Sequence, residues 1–360
     1  MSSLLNKLKS ASKVKLATSL DDSTIFNDKE IISTPIPALN LILSGEVAGG
    51  ISSGVTFLAA PPAHFKSLLG LFMVSSYMKH HKDAVCIFYD SEFGIPKATF
   101  ESFGMDSSRI LHIPIENIEV LKMDIVQQLE AIERGKDKVI IFVDSIGMLP
   151  SKKEATDALD GKSVADMTRA KEMKSLFRLI SANLIIKDVP MVVINQVYKT
   201  LELYSKQIMS GGEGARYAGN TVIYITKAQE KDGDELAGYN FTLINDKSRF
   251  VREKSKIPLT VTYERGIEKC SGLFELALGF GWIQSPNKGW YQVVDKRTGE
   301  ILPDKHRKVA LASDNKLFLQ LFEWGFAKEL EDHYKLGGHA IYTDDLNEVV
   351  YSDAAHIDEE

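Results

Sequence analysis

A lysine and a serine stand side by side shortly after an apolar run, in the stretch AAPPAHFKSLL over residues 59–69. Lys66 and Ser67 match the end of the phosphate-binding loop G-x-x-x-x-G-K-[ST], in which the lysine contacts phosphates and the hydroxyl ligates Mg²⁺. Both glycines of that pattern are missing, because Ala60 and Phe65 replace them. Taken alone, the stretch is therefore a weak indication of a nucleotide site.

The unusual residues do not by themselves disable such a loop. Its chemistry comes mainly from backbone N–H groups and from the dipole of the helix that follows. The prolines remove donors only early in the loop, whereas the amides that cradle phosphate come mostly from its second half. We therefore expect Phe65 to turn its ring sideways and to keep its N–H for a phosphate. The expected nucleotide-binding residues are Pro61, Pro62, Ala63, His64, Phe65, Lys66, Ser67 and Leu68.

Polar side chains also end three other apolar runs. Asp144 closes IIFVD and suits a metal-water ligand, although an aspartate that caps a following helix is the alternative. Glu92 follows FYDS, where a carboxylate can orient and polarise an attacking water, and Gln196 closes VVINQ, where an amide can sense a γ-phosphate. Each residue alone is equally compatible with a polar cap at the edge of a sheet. Because open α/β sheets bind ligands at one such edge, the set together favours a nucleotide and metal site.

The elements that must position these residues can be predicted from hydrophobic periodicity. Short apolar runs alternate with longer segments of helical spacing, which predicts an α/β fold with a mainly parallel central sheet. Later runs at 221–226, 241–244 and 259–263 have fewer helices between them and predict antiparallel strands that extend the sheet. The predicted divisions are a basic N-terminal helix and linker (1–31), the core (32–271), a small C-terminal domain (272–341) and an acidic tail (342–360).

Composition limits the class of protein. The chain has 360 residues, of which 44% are hydrophobic and 26% charged, so it can bury a large core. Its net charge of −6 means that nucleic acid can bind only at a local basic surface. Cys86 and Cys270 lie far apart, which argues against a zinc site or a disulfide framework. The absence of a long apolar run and the lysine-rich start lead us to expect a soluble, cytoplasmic protein.

Several segments together resemble the RecA-type recombinases, most closely the UvsX-type group of T4-like bacteriophages. They include STPIPALNLILSGEVAGGISSG before the loop, YDSEFG, VDSIG and VINQ at strand ends, and DMTRAKEMKSLFR and EKSK further on. The resemblance covers essentially the whole chain. It implies a RecA-like P-loop NTPase core that uses ATP and Mg²⁺ as a DNA-dependent ATPase.

The same resemblance implies individual roles. Lys66 and Ser67 would bind ATP phosphate and Mg²⁺, with Asp144 holding the metal's hydration shell. Glu92 would activate water, and Gln196 would link the γ-phosphate to the following loop. Lys247 and Arg249 resemble a cationic pair that reaches ATP on the adjacent subunit, where it stabilises charge on the transferring phosphoryl group. Without the resemblance, surface charges at a strand edge are the favoured interpretation of that pair.

Two long polar segments, 150–166 and 197–220, are predicted to be mobile loops that contact DNA. The second interleaves basic and tyrosine residues, a composition suited to single-stranded DNA without sequence readout, although a plain surface loop is the alternative. Phe100 is a guess for stacking on adenine. The expected DNA-binding residues are Arg169, Arg178, Lys199, Lys206 and Arg216.

The resulting interpretation is an ATP-dependent DNA recombinase that forms helical filaments on single-stranded DNA, pairs it with homologous double-stranded DNA and exchanges strands in recombination, repair and recombination-dependent replication. Its expected partners are DNA, further copies of itself, single-strand-binding proteins and loading proteins. Two alternatives stay open on the sequence: a RecA-fold ring helicase or other DNA-stimulated motor ATPase, and a DNA-binding filament protein without ATPase activity.

Overall fold

A computed structural model gives the fold of residues 3–27, 29–161, 167–199, 207–232 and 235–337. Its strands, in chain order, are β1 (Ile31–Ile32), β2 (Ile51–Ser52), β3 (Gly54–Ala60), β4 (Val85–Asp90), β5 (Ile110–Pro114), β6 (Val139–Asp144), β7 (Pro190–Lys199), β8 (Gln207–Met209), β9 (Thr221–Asp232), β10 (Glu235–Ser248), β11 (Lys256–Thr262), β12 (Gly266–Ile267), β13 (Ile283–Asn287), β14 (Trp290–Asp295) and β15 (Glu300–Ile301). Its helices are α1 (Ser3–Ala11), α2 (Thr24–Asn27), α3 (Pro37–Ser44), α4 (Lys66–His80), α5 (Lys97–Ser102), α6 (Ile118–Ala131), α7 (Lys152–Leu159), α8 (Thr168–Lys187), α9 (Gly212–Ala218), α10 (Leu273–Gly279), α11 (Lys308–Ala312), α12 (Asn315–Trp324) and α13 (Phe326–Tyr334).

One large sheet organises the described residues, in the strand order β12-β11-β10-β9-β3-β7-β6-β4-β5, with β8 paired to β7. The strands from β9 to β5 in this order run parallel, whereas β10, β11 and β12 are antiparallel to their neighbours. The predicted α/β fold with a mainly parallel sheet is confirmed. One detail differs, because β9 was expected to be antiparallel and instead runs parallel to β3, so the change of direction falls between β9 and β10.

Alternation along the central strand β3 separates two hydrophobic layers. Val55, Phe57 and Ala59 face the cluster built around α6 and α8. Leu58 and Ala60 face the opposite cluster, which holds α3 and α4 and continues into the C-terminal helices. Helices on both faces explain why the parallel strands are apolar throughout. The predicted boundary between residues 271 and 272 lies inside one continuous core.

The described parts of the two segments predicted as mobile loops include regular structure. Residues Lys152–Leu159 form α7, because Ser151 and Glu154 make a capping box at its start. The other segment holds β8, which pairs with the end of β7, and α9. The S-x-x-E pattern at 151–154 was a sequence signal for a helix start, and the loop prediction missed it.

Candidate nucleotide site and DNA-facing surface

The missing glycines have different consequences in the phosphate loop between β3 and α4. Ala60 is the last residue of β3, is 1% exposed and needs no special backbone conformation. Phe65 immediately precedes α4 with φ 61°, and Ala63 has φ 56°. A non-glycine residue in this left-handed region costs about 1–2 kcal/mol. The loop therefore retains a conformation that favours glycine at position 65, although the residue itself has changed.

Packing holds Phe65 in this conformation. Its ring stacks on Phe241 of β10, with the ring centroids 5.5 Å apart and the planes at 25°. The ring thus lies sideways, as expected from the sequence. Whether its N–H contacts a phosphate stays a prediction.

Side-chain donors hold the carbonyl groups on the early part of the loop. Lys66 Nζ donates to the Pro61 carbonyl at 2.8 Å, and Lys227 Nζ donates to the Ala63 carbonyl at 2.8 Å. His64 Nδ1 lies 2.8 Å from the Pro62 carbonyl. Lys66 is nearly buried, and burial lowers the pKa of its ammonium against the opposing effect of Glu92 and Asp144. An anion beside Lys66 would offset that cost of burial.

The carboxylate of Asp144 is the group in this site that most needs a cation. It lies at the end of β6, only 3% exposed, and Ser67 forms a side-chain hydrogen bond with it. Burial raises the pKa of Asp144 to about 6, with Glu92 and Asp90 adding to the effect. Its buried Oδ1 has no hydrogen-bond partner among the described residues. An unpaired carboxylate oxygen beside a serine hydroxyl fits Mg²⁺ or a water bound to it.

Glu92 is held beside this carboxylate by a turn after β4. Asp90 Oδ1 accepts hydrogen bonds from the backbone N–H groups of Glu92 at 3.1 Å and Phe93 at 2.7 Å. Ser145 Oγ donates to Glu92 Oε1. The other oxygen of Asp90, Oδ2, lies 3.2 Å from His112 Nε2, so both carboxylate oxygens have partners and Asp90 positions the turn. The sequence analysis did not predict that Asp90 holds this turn. The signal was available, because an aspartate side chain commonly accepts a hydrogen bond from the backbone two residues further on.

Gln196 connects the site to the segment that follows β7. Its Nε2 donates to Glu92 Oε1 at 3.3 Å, and it pairs in the sheet with Ala60. Its carbonyl accepts from the backbone N–H of Ser210 at 2.9 Å, and Asn195 Nδ2 donates to the Ser210 carbonyl at 2.8 Å. A displacement of Gln196 would therefore be felt directly at the turn between β8 and α9.

Arg169 differs from its predicted role as a DNA contact. Its guanidinium donates to the backbone carbonyls of Leu149, Ile146 and Gly147 at 2.7–3.1 Å and to Ser210 Oγ at 3.0 Å. Burial lowers its pKa. Its Nε and Nη2 groups are engaged in these bonds, so the geometry makes Arg169 a brace between the residues after β6 and the turn at Ser210.

The other predicted DNA contacts fall into three groups. Arg178 is exposed on α8, on the same side as the exposed Lys171 and Lys174. Arg216 is instead paired, with Nε 2.5 Å from Asp246 Oδ2, and this bond raises its pKa. Two further residues cannot be placed: Lys199 ends β7 but its side chain is outside the description, and Lys206 lies outside the described residues.

The cationic pair Lys247 and Arg249 lies at the edge of the sheet opposite the phosphate loop. Ser248 of β10 aligns with Thr221 at the start of β9, which in turn aligns with Thr56 of β3. The loop begins after Ala60, four residues or about 13 Å further along β3. Lys247 Nζ donates to the Tyr217 and Arg216 carbonyls, whereas Arg249 is exposed. The register thus places the pair away from the loop of its own chain.

Phe100, the guess for adenine stacking, is only 6% exposed and packs against Phe88 at 5.1 Å. It is part of the core, and the stacking prediction is wrong because the ring has no free face.

Comparisons with known proteins agree on one family. Residues 270–323 match the family model described as Bacteriophage T4, Recombination and repair protein, C-terminal domain. The chain is 45% identical to the recombination and repair protein of Enterobacteria phage T4, over 100% of this chain and 90% of that protein. It is 23% identical to Protein RecA of Chlorobium limicola over 84% of each chain, and 26% identical to Protein RecA of Desulfotalea psychrophila over 75% and 74%. Among the described residues, no helix is long and apolar enough to cross a membrane. The chain therefore belongs to the RecA family of recombinases, in the group that contains the phage T4 recombination and repair protein.

Proposed function

We propose that this recombinase is a DNA-dependent ATPase that forms filaments on single-stranded DNA and exchanges strands with homologous duplex DNA. The observation that carries the proposal is the hydrogen bond between Glu92 and Gln196. It joins the carboxylate that would activate water to the strand that leads towards the DNA-facing segment. ATP state and DNA state would then be coupled through one contact.

The residues present fit ATP and Mg²⁺. Mg²⁺ would neutralise part of the phosphate charge. Ser67 and Asp144 would hold it, because they offer the hydroxyl and the buried carboxylate oxygen it prefers. Lys66 would leave the Pro61 carbonyl for the phosphates. Glu92 would accept the proton of the attacking water at a carboxylate oxygen.

Gln196 would report the γ-phosphate. Its amide is bonded to Glu92 at 3.3 Å, a length at which the bond is easily exchanged for a charge-assisted one to phosphate. Moving that amide would pull on the Ser210 turn, which is also held by Asn195 and Arg169. The arrangement supports transmission of ATP binding to β8 and α9.

Completion of the site would need a second subunit. Lys247 and Arg249 lie too far from the loop of their own chain, so they would act on the ATP of a neighbour, as arginine fingers do. A head-to-tail contact of this kind repeats indefinitely unless it closes into a ring. ATP hydrolysis would therefore depend on assembly, to which the N-terminal helix at 1–31 is proposed to contribute by docking on the adjacent subunit.

DNA would bind where α8 meets α9. The exposed Lys171, Lys174 and Arg178 share one side of α8, and the first two border an open groove of about 500 Å³ together with Gly211–Gly214. Such a surface can track a phosphate backbone without reading sequence. Lys199, Lys206 and Arg216 stay proposed contacts, with the reservation that Arg216 must first leave Asp246. Single-strand-binding and loading proteins are proposed partners, and the acidic tail at 342–360 lies outside the described residues.

The test combines an ATPase assay with electron microscopy. Lys66→Ala should reduce turnover on single-stranded DNA by about 100-fold or more, since it removes a charge that stabilises the transition state. Lys79→Ala is the matched control, because Lys79 is an exposed lysine near the far end of the same helix. Full turnover by Lys66→Ala would refute the site.

Microscopy of the chain with ATP and single-stranded DNA should show helical filaments. Closed rings would instead favour the ring-helicase alternative, which the relatives' names do not support. Filaments without DNA-stimulated hydrolysis would favour the DNA-binding filament protein without ATPase activity.

A further inference from the structure

Two histidines and a glutamate meet at the far end of α4, away from the nucleotide site. Glu30, which precedes β1, places Oε1 3.3 Å from His80 Nε2 and Oε2 3.1 Å from His81 Nε2. All three ligand atoms lie within 4.8 Å of one another. The histidines end and follow α4, whose first residues are Lys66 and Ser67. Fourteen residues of helix separate the two ends, or about 21 Å.

The spacing of these atoms matches a tetrahedral metal site. Zinc lies about 2.0–2.2 Å from imidazole nitrogen and carboxylate oxygen, which puts neighbouring ligand atoms about 3.3–3.6 Å apart. The distance of 3.3 Å between His80 Nε2 and Glu30 Oε1 lies in that range, and the three ligand atoms, all within 4.8 Å of one another, need only a small adjustment around an ion. Imidazole and carboxylate are also ligands that zinc accepts together in one site.

A second observation points to a ligand. His81 Nε2 is buried from solvent and, despite its distance from Glu30, is out of line for a well-formed hydrogen bond. A buried ring nitrogen without a good partner is costly, and a metal ion would satisfy it. His80 is more than half exposed, so an ion has a path into the cluster.

We propose that Glu30, His80 and His81 bind one Zn²⁺ ion, with a fourth position open to water. The site uses no cysteine, which is why the expectation drawn from cysteine spacing did not anticipate it. It differs from the Mg²⁺ site in place and in ligand type, because imidazole nitrogen suits zinc whereas Mg²⁺ takes oxygen.

Lys138 tunes the proposed site. Its Nζ lies 3.0 Å from Glu30 Oε2, so that oxygen stays with the ammonium while Oε1 is free to meet the metal. The ammonium orients the carboxylate, as outer partners of metal ligands do, but its charge also repels a divalent ion. The ammonium lies 3.0 Å from the carboxylate that would bind the ion, so it would also lie close to the ion. We therefore expect its repulsion of the ion to outweigh its orienting effect on Glu30.

Zinc would fix the segment that joins α1 to the core. This segment is already held by Arg134, whose Nη2 donates to the Thr24 carbonyl at 2.6 Å, and by Lys29, whose ammonium lies 4.9 Å from the Phe250 ring centroid. A metal bond from Glu30 to α4 adds a third attachment. The direction in which the N-terminal helix leaves the core would then depend on zinc.

The test is titration of the full chain with Zn²⁺ by calorimetry, and with Co²⁺ by visible absorption, which reports nitrogen ligands. We expect one ion whose affinity falls by about 100-fold or more in His80→Ala and in Glu30→Gln, since even outer-sphere changes cost 10–100-fold. Lys138→Gln should bind several-fold more tightly. His306→Gln is the control, because its ring lies elsewhere in the C-terminal region, and its affinity should equal that of the parent.

Opposite outcomes would overturn the proposal. Unchanged affinity in both His80→Ala and Glu30→Gln would place any bound zinc at another site. Weaker binding by Lys138→Gln would refute the assigned role of the lysine. His80→Ala keeps the test sharp, because His80 is exposed and its loss should leave folding intact, as circular dichroism would verify.

Discussion

Because Phe65 has an unusual backbone conformation, we predict that replacing it with glycine destabilises the protein less than replacing it with alanine. Phe65 has φ 61° and is held by stacking on Phe241. Truncation to alanine would remove the ring but keep a Cβ in the left-handed region. Truncation to glycine would remove both the ring and the strain. The two variants lose the same contacts, so their difference in stability measures the backbone alone.

The expected magnitudes follow from burial and conformation. A fully buried Phe→Ala change costs about 3–5 kcal/mol, and the partly buried ring of Phe65 should cost about half of that. Glycine recovers about 1–2 kcal/mol of left-handed strain but pays about 0.5–1 kcal/mol in chain entropy. Phe65→Gly should therefore be more stable than Phe65→Ala by up to about 1.5 kcal/mol.

Urea unfolding of the two variants measures this difference as a shift in midpoint. Phe72 gives the matched control, because it is a partly buried phenylalanine within α4 and packs against Phe103. There, glycine should be worse than alanine by about 1 kcal/mol, the ordinary helix penalty. The expected result is that the glycine variant is the more stable at position 65 and the alanine variant is the more stable at position 72. Alanine better than glycine at both positions would refute the account of the loop.

Three more predictions test the site. In metal-free protein, the pKa of Asp144 near 6 lies above its ordinary 3.8, so stability from this group is full below pH 4 and is lost as the pH rises through 6. Asp144→Asn should thus be more stable than the parent by about 2–3 kcal/mol at pH 7.5 and equal near pH 4 in urea unfolding, while Mg²⁺-dependent ATP turnover is lost; no gain at pH 7.5 would contradict the pKa shift. Gln196→Ala should abolish the stimulation of ATP hydrolysis by DNA but reduce DNA-independent turnover much less, as steady-state assays with and without single-stranded DNA would show; equal loss in both would remove the coupling role. Arg249→Ala and Lys66→Ala should each be inactive, yet an equal mixture should recover about a quarter of parental turnover, because that share of head-to-tail contacts joins an intact loop to an intact arginine; no recovery would contradict action between subunits.

Much of the chemistry was predictable from local patterns. Apolar runs that end in Lys-Ser, Glu, Asp and Gln indicated one polar edge, and the parallel sheet brings Lys66, Glu92, Asp144 and Gln196 together there. This works because the carboxyl ends of parallel strands meet at one edge whatever the details of packing. Residue type and the parallel direction of the strands were sufficient.

The availability of each cation depended on the tertiary structure. Arg169 and Arg216 are residue types that commonly contact phosphate. In the fold, however, Arg169 donates to backbone carbonyls and Arg216 pairs with Asp246. Nothing local to either residue shows this, since Leu149 and Ser210 lie 20 and 41 residues from Arg169.

The sequence by itself determined the mainly parallel α/β fold and which polar residues follow its strands, because both follow from residue type and periodicity. The tertiary structure decided which groups are already satisfied. Phe65 keeps a left-handed backbone because Phe241 packs on it, and Glu30 meets His80 and His81 only because the N-terminal segment returns to the end of α4. Burial and partner choice are set by contacts between residues distant in the chain, which no local pattern specifies.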